Sequence, residues 1–133
     1  MTEINRLKYL QFTLSAVGLF CIFGVYPLTV LWPAGWAWHS GRSEYLEMIV
    51  AIYATLGVFL FLAARTPSEH LSLISFAIWS SIVHGLVMAV QAIVNPMHLH
   101  HLYGDVLALF AVAIVLAFLS PEAFHLRVAK HAA

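Results

Sequence analysis

Four apolar stretches, each close to the length that crosses a lipid bilayer, constrain this sequence more than any other feature. The hydrocarbon core is roughly 30 Å thick, so a crossing helix needs about 20 apolar residues. The stretches run from about Tyr9 to Leu31, Tyr45 to Ala64, Leu71 to Val94 and Leu102 to Leu119. Lipid offers no hydrogen-bond partner, so segments of this kind satisfy their backbone internally as helices. The expected fold is all-α, a single integral membrane domain over residues 1–133 built as a four-transmembrane-helix bundle. A short cytoplasmic tail helix is expected over residues 121–133.

Composition removes the alternatives. Hydrophobic residues make up 62% of the chain and charged residues 9%, against about 45–50% and about 25% in soluble domains. Six basic and six acidic side chains balance, which leaves no basic surface for nucleic acid. Cys21 is the single cysteine, which excludes a disulfide framework and a cysteine-based zinc site.

The breaks between stretches have local causes. Pro33 and Gly35 in Trp32-Pro33-Ala34-Gly35 end the first span, and Pro27 is expected to kink it. Thr66-Pro67-Ser68-Glu69 reads as a cap and capping box opening the third span. Asn95-Pro96 and Ser120-Pro121 repeat that arrangement before the fourth span and the tail. The first span, about 23 apolar residues, exceeds a signal-peptide core of roughly 15, and is expected to be retained.

Orientation follows from the basic residues. Arg6, Lys8, Arg65, Arg127 and Lys130 fall on one side of the expected spans, and Arg42 alone on the other. Positive charge marks the cytoplasmic side, so both termini are expected inside. Trp32, Trp36, Trp38, Tyr26, Tyr45 and Tyr103 read as an aromatic belt at the outer boundary. Ala77, Ser81, Gly85 and Ala89 recur at every fourth residue of span three. Such a ladder lets another backbone approach closely, either within the bundle or between copies.

Ionisable groups inside a membrane are costly, so each one is a functional candidate. His84 lies near the middle of span three, and His84, Met88 and Gln91 share one helix face. His84 can hydrogen-bond Ser80, Ser81 or a hydroxyl on another span, carry a proton or ligand, or ligate a haem or chlorophyll. A buried bis-histidine haem is excluded, since no other span has a histidine at that depth. In Asn95–Asp105, an α-helix beginning at Pro96 would put His98, His101 and Asp105 on one face. Two imidazoles and a carboxylate are adequate ligands for a divalent metal. A local His101–Asp105 pair or a pH-sensing cluster fits the same residues. Glu47, one turn inside span two, is expected to face Asp105 or His101, so that Glu47, Gln91, His101 and Asp105 surround one outer cavity. No nucleophilic relay or phosphate loop is present, and Cys21 reads as a packing residue.

The segments Gly24–Trp36, Ile52–Leu60 and Trp79–Gln91 resemble a family of small bacterial four-span membrane proteins classed as a domain of unknown function. The resemblance covers most of the chain and implies a prokaryotic inner-membrane location. It transfers no activity and no site residue. Small multidrug transporters depend on a glutamate in the first span, which has no acid here. Two functions fit the sequence: a non-enzymatic protein that self-associates or serves as an accessory subunit of a membrane complex, or a ligand-, metal- or tetrapyrrole-binding, redox-linked protein using the outer cavity.

Overall fold

The Thr2 hydroxyl accepts a bond from the Asn5 backbone N–H at 3.4 Å and starts the first helix, as a small polar N-cap does. The computed structural model describes residues 1–125, and those residues include no strand. Helix α1 (Glu3–Phe23) is followed by α2 (Val25–Leu31), and the two meet at a 52° bend at Gly24. Pro27 explains the bend: it has no N–H for the Phe23 carbonyl four residues back, and its ring pushes that carbonyl aside.

One short turn, α3 (Pro33–Trp36), leads into a loop and then α4 (Glu44–Ala63), whose cap is the Ser43 hydroxyl, 3.3 Å from the Leu46 N–H. Helix α5 (Leu71–Val94) follows a 3-10 turn over Pro67–Glu69. That turn corrects the capping box expected at Thr66, whose side chain makes no capping bond. A 3-10 helix over Pro96–Leu102 precedes α6 (Asp105–Leu119), and here Asn95 does cap, accepting from the Met97 N–H at 3.2 Å. The expected cap at Ser120 is also absent: its hydroxyl is buried without a partner before α7 (Pro121–Phe124). The rest of the expected tail helix, with Arg127 and Lys130, lies outside the described residues.

Helices α4, α5 and the Pro96–Leu119 unit are each long and apolar enough to cross a membrane. The bent α1–α2 pair passes the same test as one unit, so the chain has three such elements, or four with the bent pair.

Two close helix pairs form the bundle: α1 lies along α4, and α5 along α6, with α1 also touching α6 to join them. Gly18 and Gly57 allow the first pair to meet backbone to backbone. Association of apolar helices in lipid depends on such close packing, because lipid chains are as apolar as leucine. The small-residue ladder of α5 is used within the chain: Ala77, Ser81 and Gly85 are buried, and Gly85 faces Phe110 and Leu109 of α6.

The solid core occupies the half of the bundle that holds the N-terminus and α7. Leu10, Leu14, Leu60, Ile74, Ile78 and Leu116 interlock there. Arg6 bonds Glu122 at 3.0 Å, and the Trp79 indole N–H donates to the Phe124 carbonyl at 3.2 Å, which fastens α7 across this end. The opposite half is hollow.

Candidate functional site

The hollow is a chamber of about 240 Å³ between α1–α2, α4, α5 and α6. It arises because α4 packs on α1 and is not closely packed against α5. Its wall is overwhelmingly apolar, with Phe20, Val50, Leu56 and Val112 among the lining residues.

One polar contact bridges the α4–α5 seam. The Tyr53 hydroxyl on α4 lies 2.7 Å from His84 Nδ1 on α5. Both residues line the chamber and both are half-buried. Each sits near the middle of its helix; of the hydroxyls open to His84, those of Ser80, Ser81 or another helix, the one it meets is that of Tyr53 on α4. Met88 and Gln91 line the chamber beyond His84, as their shared helix face requires.

A second polar cluster closes the chamber's end. Both Asp105 carboxylate oxygens lie 3.0 Å from His101 Nδ1. The Val106 N–H donates to Oδ1 at 2.9 Å, and the Trp38 indole N–H donates to Oδ2 at 3.1 Å. Each carboxylate oxygen therefore has two partners, which is its usual capacity. The Trp38 ring stacks on His101 with centroids 4.1 Å apart. Trp38 and Gln91 also line an open cleft on the far side, with His39, Asn95 and His98. Together they form the partition between cleft and chamber.

Several sequence expectations change here. Residues Pro96–Leu102 are 3-10, not α, and Gly104 interrupts the chain before α6, so the proposed α-helical face of His98, His101 and Asp105 does not form. The cause is tight packing: the Gly35 backbone fills the place a Gly104 Cβ would take. His101 and Asp105 still pair, but His98 contacts Trp38 and His101 by its ring, at 4.8 and 5.7 Å between centroids. Among the described residues no three His, Cys, Asp or Glu side chains form a group able to hold a metal ion.

Glu47 lies apart from this cluster. Its carboxylate accepts from Arg42 Nε at 2.8 Å and from the second guanidinium nitrogen at 3.3 Å. That hydrogen bond and the opposite charge raise the Arg42 pKa further above its already high value. Of the six residues read as an aromatic belt, Trp36 and Trp38 line the chamber, and Trp32, Tyr26, Tyr45 and Tyr103 are exposed. Tyr53 and Trp38 are the two site residues that sequence reasoning missed. Tyr53 carried a signal, as a phenol in the middle of an apolar run, because buried tyrosine hydroxyls seek a partner.

This arrangement can hold an apolar molecule and offer it hydrogen bonds from Tyr53 and His84. At about 240 Å³ the chamber is smaller than the roughly 300–1,000 Å³ of sites for drug-sized ligands. All-helical, apolar and hollow at one end, the chain has the build of a small membrane-compatible bundle. It belongs to the family of unknown function DUF6632, whose model matches residues 4–130. No curated protein and no solved structure matches it.

Proposed function

We propose that this protein is a four-span inner-membrane protein with both termini in the cytoplasm, and that it binds a small apolar ligand in the chamber. The observation that carries the ligand role is the 240 Å³ apolar chamber with the Tyr53–His84 pair in its wall. A closely packed bundle would have no reason to keep α4 away from α5, since lost van der Waals contact is the main cost of a void. The orientation is supported by the distribution of basic residues, with Arg42 beside α4 opposite Arg6, Lys8 and Arg65.

A self-associating or accessory subunit, the other function that fits the sequence, draws less support. The ladder that suggested a contact between copies is buried in a single chain at Ala77, Ser81 and Gly85.

Native mass spectrometry of protein purified from its own membrane tests the ligand role. Ala108 lines the chamber, and Ala108→Phe would fill it. The expected result is a small bound molecule that is retained by the parent and missing from Ala108→Phe. Equal masses of bound material in both proteins would overturn the reading.

A further inference from the structure

The chemistry of the chamber wall narrows what it accepts. Charge is disfavoured on two grounds. Asp105 is the acidic residue lining the chamber, and both its oxygens are already engaged by His101, Trp38 and Val106. Among the described residues no Lys or Arg lines it. A charged ligand would therefore lose its hydration with nothing to replace it.

Hydrogen bonding, by contrast, is on offer at mid-wall in a fixed form. If Tyr53 donates to His84 Nδ1, the neutral imidazole carries its proton on Nε2. If Nδ1 donates to the Tyr53 oxygen, the phenol O–H is released instead. Both tautomers leave the pair with one free donor and one free acceptor. A carbonyl oxygen takes up the free donor, and a hydroxyl takes up the donor through its oxygen and the acceptor through its proton. The volume admits a ring-sized head and not a whole lipid. The chamber is open to the surface on one side and not sealed, so an alkyl tail can extend from it into the surrounding lipid.

We infer that the chamber takes a neutral, lipid-soluble ring carrying a carbonyl or hydroxyl oxygen, and that the one free proton of the Tyr53–His84 pair is donated to that oxygen. This rests on the chamber being a ligand site, as proposed above.

The test compares two probes in phosphatidylcholine nanodiscs, 2-decyl-1,4-benzoquinone and decylbenzene, with uptake by empty nanodiscs subtracted. They share tail and ring and differ in the oxygens. The decisive variant is Tyr53→Phe/His84→Leu. It replaces both partners of one hydrogen bond by apolar groups, a change that leaves folding close to neutral; Tyr53→Phe alone serves as a second variant. The parent should bind the quinone saturably and at least tenfold more tightly than decylbenzene. The double variant should bind both probes alike, and Tyr53→Phe should fall between. Equal binding of the two probes by the parent, abolished by Ala108→Phe, would overturn the oxygen requirement and leave the chamber as an apolar site. Selective quinone binding that survives the double variant would overturn the assignment to Tyr53 and His84. Saturable binding of neither probe would overturn both this inference and the ligand role.

Discussion

Gly18 and Gly57 face each other where α1 crosses α4, each in the space the other's side chain would need. A Cβ on Gly18 would lie 2.7 Å from the Gly57 carbonyl oxygen, and one on Gly57 would lie 2.5 Å from that of Gly18. Backbone cannot swing aside as a side chain can. Gly57→Ala should therefore force the helices apart and lower stability by about 1–3 kcal/mol, as overpacking does. At Gly85 the nearest obstacle is the Phe110 ring edge, 3.2 Å from an added Cβ. That ring can turn, so Gly85→Ala should be milder, while Gly85→Leu should cost as much as Gly57→Ala. Thermal unfolding in detergent ranks the three; an unchanged Tm in Gly57→Ala would show that the crossing is looser than described.

His101 and Asp105 should behave as one unit. His101 is 1% exposed and its Nδ1 meets both Asp105 oxygens. His101→Ala and Asp105→Asn should each destabilise, and the double variant should be little worse than either single one. Contacting residues of this kind show coupling of about 0.5–3 kcal/mol. A double-mutant cycle on Tm gives the coupling, and fully additive losses would remove the pair. Repeating the cycle with added zinc checks the metal-ligating role of His98, His101 and Asp105. Stabilisation by zinc in the parent that disappears in both single variants would establish that role.

Trp38→Phe should keep the stacking on His101 and lose the indole N–H that bonds Asp105. A buried carboxylate left short of one donor costs about 1–3 kcal/mol. The expected outcome is a lower Tm together with easier passage between cleft and chamber, read as faster labelling of Cys21 by a membrane-impermeant thiol reagent added from the Trp38 side. Cys21 lines the chamber and is otherwise buried. Unchanged labelling would mean that Trp38 is not the partition.

Glu47→Gln should leave Tm and ligand binding unchanged. The Arg42–Glu47 pair is exposed, and exposed ion pairs contribute little. A loss of ligand binding in this variant would return Glu47 to the site.

Reporter fusions after Arg65 should read cytoplasmic, and fusions at Gly41 and His100 should read external. A cytoplasmic signal at Gly41 would reverse the orientation.

The helices were largely legible in the sequence because length and apolarity are local properties. The expected limits of spans two and three, Tyr45 to Ala64 and Leu71 to Val94, differ from α4 and α5 by a residue or none. The pairing of helices was not legible, since apolar periodicity in lipid does not point to a partner. Hence Glu47 was expected to face Asp105 and instead turns to Arg42, five residues earlier. His101 and Asp105 were found together because they are close in the chain. Tyr53 and His84, 31 residues apart, could be paired only once α4 and α5 had been placed. Trp38 resembled a belt residue because it shares one loop with Trp32 and Trp36, and sequence alone does not separate an interfacial tryptophan from an inward-facing one.

The contact between Gly35 and Gly104 has a practical consequence. Connecting loops ordinarily tolerate insertions and carry tags well. Here the stretch from Pro33 to Trp38 is clamped, by backbone contact at Gly35 and by the Asp105 bond at Trp38. An epitope inserted there would pry open the chamber. Gly41, three residues past Trp38, has a φ of 88° and no atom within 4 Å of the place a Cβ would occupy. A label or affinity handle inserted beside Gly41 meets no packed neighbour, provided the glycine itself is kept, because other residues adopt its φ only with strain.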